Sequence, residues 1–245
     1  MKQSDPLLTE FVQEYINEVK SALDSLDIDK VNQALKMILK AYEKGSRVFI
    51  LGNGGSASTA SHMACDLGKG TLSRFYDNKE KRLRVMSLSD NIALLTAYAN
   101  DLSFDHAFVQ QLINLVEKDD LVIVLSGSGN SKNLVKAIKH AKDHGAKTIG
   151  ILGFTSGGKL ADIVDCNIIV QSNHYGPVED VHLVLNHVLA SCFAKIKREI
   201  DADKNVKNKA IPYPNHFIAN ATTVSAKQKS AIRTAPKSHL KQIAK

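Results

Sequence analysis

The chain reads as an α/β domain built on a parallel sheet with helices on both faces. Five short apolar runs, at 48–51, 83–88, 121–125, 148–152 and 167–170, have strand length and are rich in Val, Ile and Leu. Helical patterns or turn residues such as Gly145 and Gly157-Gly158 separate them, which is the alternation a parallel sheet requires. Two of the runs end in glycine and serine loops that open helices, and such loops sit at the carboxyl ends of the strands in open α/β sheets.

Taken in order, Leu7, Leu8, Phe11, Val12, Tyr15, Ile16, Val19 and Leu23 recur at helical spacing. Val31, Leu35, Ile38, Leu39 and Tyr42 do so again, so two amphipathic helices precede the first strand. They carry more apolar surface than one side of a sheet needs, and a subunit contact is expected to cover the excess. After Val48-Phe49-Ile50-Leu51 comes the loop Gly52-Asn53-Gly54-Gly55-Ser56, then a helix from Ala57. After Leu121-Val122-Ile123-Val124-Leu125 comes Ser126-Gly127-Ser128-Gly129-Asn130-Ser131, then a helix through Leu134 and Ile138. A last helix, about 178–199, carries Val181, Leu185, Val188, Leu189 and Cys192 along one face.

Glycine lets a backbone approach an anion closely, a helix start offers unpaired N–H groups, and serine hydroxyls donate further bonds. The two loops are therefore expected to bind a phosphate ester. A Gly-Ser turn can also be only a turn, but two at successive strand ends suit a small phosphorylated molecule. Neither has the Gly-Lys-Ser/Thr end of a nucleotide P-loop nor the three spaced glycines of a dinucleotide fingerprint.

His62 and Asp66 lie four residues apart in the helix the first loop opens, so they share a face. In the last helix Glu179 and His187 lie eight apart on roughly one side, with His182 pointing elsewhere. Should the two helices face one another, within the fold or across an oligomer, these residues give two imidazoles and two carboxylates, a set that suits zinc or another divalent transition metal. Otherwise each is an ordinary helix residue.

Composition narrows the class. At 44% hydrophobic and 23% charged residues the chain is ordinary for a soluble globular protein, and no segment has the uncharged length of a membrane span. The start, Met1 to Pro6, leads into Glu10, Glu14 and Glu18, so export is not expected. Cys65, Cys166 and Cys192 are odd in number and widely spaced, which argues against a disulfide framework and for the cytoplasm. Nine Lys and Arg with no acid fall between Lys204 and Lys245; removing them from the net +7 leaves the preceding residues at about −2. A domain over 1–200 with a basic, flexible tail over 201–245 is the expected organisation. The tail lacks the aromatic and basic interleaving that nucleic acid binding uses.

Several motifs then fall in a recognisable order: GNGGS with a helical His and acid, LSD at 88–90, AND at 99–101, SGSGNS, GGKLAD at 157–162, and the acid and histidine of the last helix. In these the chain resembles the sugar isomerase (SIS) family, and most closely its phosphoheptose isomerase branch, over residues 5–199. The resemblance implies a flavodoxin-like, doubly wound, five-stranded parallel sheet. It also implies a homotetramer with active sites between subunits, zinc in many members, and isomerisation of sedoheptulose 7-phosphate. It places Asn53, Gly54, Gly55, Ser56, Ser126, Gly127, Ser128 and Ser131 at the sugar phosphate and Asp90 near the sugar. It makes His62 a metal ligand, His187 a ligand and acid catalyst, and Asp66 the general base, standing where the family has Glu. Glu179 stands for the family's Gln, and Gly176 for an Asp that orients the sugar. Base and ligand are competing roles for the one carboxylate of Asp66. Beside the isomerase stands a second reading, a non-catalytic SIS module that senses a sugar phosphate or docks a protein partner such as the replication initiator.

Overall fold

The fold was obtained as a computed structural model, which describes residues 5–204. Two helices come first, α1 (Pro6–Asp24) and α2 (Ile28–Lys44). Each starts on an aspartate whose carboxylate accepts from the first turn: Asp5 from the Leu7 amide, and Asp27 from the amides of Asp29 and Lys30. The sheet and its crossovers follow as β1 (Arg47–Leu51), α3 (Gly55–Cys65), β2 (Arg84–Ser87), α4 (Ile92–Asp101), α5 (Val109–Leu115), β3 (Leu121–Ser126), α6 (Lys132–Asp143), β4 (Lys147–Leu152), α7 (Gly158–Ile163), β5 (Cys166–Ile169) and α8 (Tyr175–Lys204).

All strand pairs are parallel, in the order β2-β1-β3-β4-β5. This is the flavodoxin-like doubly wound order, in which the chain moves outward from β1 in both directions. The direction reverses between β1 and β3, and the two glycine and serine loops leave the carboxyl ends of those two adjacent strands. The fold thus sets the loops side by side.

Strand side chains alternate between two apolar layers. Val48, Ile50, Ile123, Leu125, Ile149 and Ile151 pack under α2, α3 and α8, while Phe49, Leu51, Val122 and Val124 pack under α5, α6 and α7. Both faces are covered, as an all-parallel sheet requires. On α1, by contrast, Leu7, Leu8, Phe11, Val12, Tyr15 and Ile16 remain 42–61% exposed.

Two boundaries differ from the sequence expectation. The last helix begins at Tyr175 rather than near 178, because Pro177 sits in its first turn, where the missing N–H has no partner to lose. It also runs on to Lys204, so residues 201–204 of the expected tail continue the helix. The remainder of that basic segment, 205–245, lies outside the described residues. Among the described residues no helix is long and apolar enough to cross a membrane.

Candidate active site

The first loop ends where α3 begins on Gly54, and no side chain caps that helix start. α6 begins on Ser131, likewise without a side-chain cap. Two helix starts without side-chain caps thus stand at the switch point of the sheet, the kind of place where backbone N–H groups can receive an anion.

Side chains fix the loops to one another. Asn53 and Asn133 exchange amide hydrogen bonds of 3.0 and 2.9 Å, so the Asn53 side chain serves as a tie between β1 and α6. Ser89, in the LSD segment, bonds the Gly52 carbonyl at 3.1 Å. Ser126 is buried and its Oγ accepts from the Gly129 amide at 3.0 Å, which curls the second loop. Ser128 is partly exposed, and its Oγ accepts only a long 3.4 Å bond from Asn130 N–H. Gly129 has φ 63°, and a Cβ there would strike the carbonyl oxygen of Gly157, so the GGKLAD segment clamps the loop from behind. Tyr175 lays its ring over Gly127 and meets Phe154 edge to face at 4.7 Å. Asp90 is exposed and accepts a short hydrogen bond from Ser61, next to His62.

About three turns beyond the loop, α3 gives way at Asp66 to a single π-helical turn, Asp66–Gly70. Such turns are rare and recur at functional sites. α8 lies across α3 and brings His187 to this point. His62 Nε2 is 3.3 Å from Asp66 Oδ2, His187 Nε2 is 3.7 Å from the same oxygen, and the two imidazole nitrogens are 3.5 Å apart. All three residues come from one chain; the helices face one another within the fold and need no subunit contact to do so.

Among the described residues these three form a group whose ligand atoms lie within 4.8 Å of one another, the arrangement that could hold a metal ion. Ligand atoms about 2.0–2.1 Å from a four-coordinate zinc stand about 3.3–3.4 Å apart, close to the separations found. Two imidazoles and one carboxylate leave one position open, as catalytic zinc sites do.

Glu179 does not join the group. Its carboxylate lies against Gly55 at the first turn of α3, where a Cβ on Gly55 would collide with it. Helix phase explains the separation. Eight residues at about 100° each leave Glu179 some 80° around α8 from His187 and two turns nearer its start. His182 faces the interior, 1% exposed, and bonds the Leu152 carbonyl at 3.1 Å. At Gly176 the space that a side chain would fill holds the Tyr15 ring, whose hydroxyl donates to Asp180 at 2.7 Å.

Residue spacing gave no sign of Asn133, Ser89, Tyr175 or Asn186. Asn186 is fully buried and donates to Asp66 Oδ2 at 2.9 Å. It lies beside His187 in sequence, and a polar residue among the buried apolar positions of α8, such as Leu185 and Leu189, is the signal available.

Comparison with known proteins bears on the family and the fold. The family profile for the SIS domain matches residues 13–153. A phosphoheptose isomerase of Helicobacter pylori (strain P12) is 36% identical over 177 residues, which are 72% of this chain and 88% of that protein. A probable phosphoheptose isomerase of Thermoplasma volcanium is 32% identical, over 74% of this chain and 89% of its own length. Among solved structures, the phosphoheptose isomerase of Neisseria gonorrhoeae superimposes with a TM-score of 0.68 at 26% identity, covering 77% of this chain and 97% of that one.

Proposed function

The chain belongs to the SIS domain family, and from that premise we propose that it is a phosphoheptose isomerase interconverting sedoheptulose 7-phosphate and D-glycero-D-manno-heptose 7-phosphate. The observation that carries this reading is the convergence of His62, Asp66 and His187 about two to three helical turns beyond the first loop. A module that only senses a phosphate needs the loops and not the cluster.

In this reading the uncapped starts of α3 and α6, with Ser56, Ser128 and Ser131, hold the 7-phosphate and fix the sugar chain against the cluster. Asp66 takes the proton from the carbon beside the carbonyl, and the electron pair moves into the enediol. His187 gives a proton to the carbonyl oxygen; as the first proton then returns to that former carbonyl carbon, His187 takes the proton of the other enediol hydroxyl, which becomes the new carbonyl, and both groups are restored. A divalent ion such as zinc, held by His62, Asp66 and His187, supplies Lewis-acid polarisation of the substrate oxygens when bound. Glu179, set at the α3 start, is assigned to the substrate side rather than to the metal. Free Cys65, Cys166 and Cys192 fit a reducing cytoplasm. The exposed stripe on α1 is assigned to subunit contacts of a homotetramer.

The test is solvent deuterium exchange into sedoheptulose 7-phosphate, with and without chelator. Asp66→Asn should abolish exchange, and added zinc should not restore it, because acid–base catalysis contributes about 10²–10⁴-fold that metal does not replace. Recovery of the rate with zinc would make Asp66 a ligand only. Wild-type protein that binds sugar phosphates without exchange would give the site to a sensor instead.

A further inference from the structure

Asn186 is 0% exposed, and its two polar atoms are treated differently. Nδ2 donates to Asp66 Oδ2 at 2.9 Å, while Oδ1 is buried without a hydrogen-bond partner. Turning the amide over would set its oxygen against a carboxylate oxygen, so the donor must face Asp66. A buried acceptor left unpaired is uncommon and unfavourable. What the residue secures in return is one oriented bond to the carboxylate.

That bond falls on the oxygen that also faces both imidazoles, Oδ2. Asp66 Oδ1 takes no hydrogen bond among the described residues. An aspartate carboxylate turns in a broad, nearly two-fold well, so without a donor its oxygens exchange places readily. We propose that Asn186 is a positioning residue for the isomerisation: it commits Oδ2 to the imidazole side and leaves Oδ1 to take the carbon-bound proton. The inference rests on the isomerase reading for its effect on rate, and on geometry alone for its effect on Asp66. It also removes the competition between ligand and base by giving each oxygen one task.

Asn186→Leu keeps the volume and removes both the donor and the unpaired acceptor. The expected result is a kcat about 10–100-fold lower, the scale for groups that orient a site ligand. KM for sedoheptulose 7-phosphate should stay within about twofold, since the phosphate contacts lie elsewhere, and Tm should be unchanged or higher because the unpaired oxygen is gone. Asn186→Ala, which cannot clash, should show the same split between kcat and KM. Cobalt(II) alone, titrated by its visible absorption, should bind at least about tenfold more weakly to either variant. A wild-type kcat in both variants overturns the proposal, and so does a loss carried wholly in KM or accompanied by unfolding in both. Should the wild type show no turnover, the isomerase reading fails by itself, and equal cobalt affinity in wild type and variants then overturns the positioning of Asp66. A wild type that neither turns over sugar nor binds cobalt overturns both.

Discussion

Asn53 and Asn133, eighty positions apart, are locked face to face by two reciprocal amide hydrogen bonds. Each amide gives its N–H to the other's oxygen, so this pair ties the first glycine and serine loop to the start of α6, which the second loop opens. Asn133→Leu should leave the Asn53 amide unpaired and lower stability by about 1–3 kcal/mol in denaturant unfolding. Calorimetric titration should show sugar phosphate binding weakened as well, although Asn133 is 3% exposed. Unchanged affinity would mean that the loops keep their spacing without the tie.

Ser128 is partly exposed and its hydroxyl is committed to the protein only weakly, by one long 3.4 Å bond from the Asn130 N–H. Removing a donor to a charged phosphate oxygen costs about 1.5–3 kcal/mol, or about ten- to a hundredfold in Kd. Ser128→Ala should show that loss with an unchanged Tm. Ser126→Ala should instead lower Tm, because its Oγ holds the Gly129 amide.

The contrast between these serines marks what the amino-acid pattern discloses. Strand runs such as Leu121 to Leu125 are legible because burial on both faces demands continuous apolar residues. The pairing of His62 with Asp66 is legible because helical spacing fixes which side chains share a face. Asn186 and Asn133 are not, since their partners lie 120 and 80 positions away and no local periodicity encodes a contact across elements. Glu179 was grouped with His187 on spacing, yet a rotation of about 80° over eight residues carries it to the start of α3. The π turn at Asp66 leaves no mark in composition.

Lys197 is fully buried and bonds Glu80 at 2.6 Å and Asp201 at 2.9 Å. Burial pushes the Glu80 carboxyl up, but the bonds from Lys197 and from the amides of Ser73 and Arg74 outweigh it and hold the group below its ordinary range. Lys197→Met should cost about 3–5 kcal/mol in equilibrium unfolding, because a buried carboxylate is left uncompensated. Adding Glu80→Gln should return part of that loss.

Burial pushes the His182 imidazole down to about 4, only partly opposed by its bond to the Leu152 carbonyl. Between the unfolded value near 6.5 and this value the unfolded chain binds more protons at His182 than the folded one does. Stability should therefore fall as pH drops from about 6.5 to 4, by up to about 3 kcal/mol from this residue. His182→Gln, which keeps a donor for Leu152, should flatten the pH dependence of unfolding in that window.

The stripe on α1 gives a further outcome to measure. Light scattering should report a tetramer, or at least a dimer, and Phe11→Glu should shift it toward smaller species, because Phe11 is 55% exposed in the single chain. A monomeric wild type at micromolar concentration would remove the subunit-contact assignment while leaving the His62, Asp66 and His187 cluster whole.

α8 is a continuous rod of 30 residues, about 45 Å from end to end at 1.5 Å per residue. Glu179, Asn186, His187 and Lys197 all ride on it: Glu179 meets the start of α3, Asn186 and His187 meet Asp66, and Lys197 meets Glu80. Inserting or deleting one residue between His187 and Lys197 would swing one relative to the other by about 100°. Either the cluster at Asp66 or the ion group at Glu80 would then lose its partner. Over evolutionary time this stretch is closed to changes of length, so related chains with a gap between these two positions should have lost one of the two contacts.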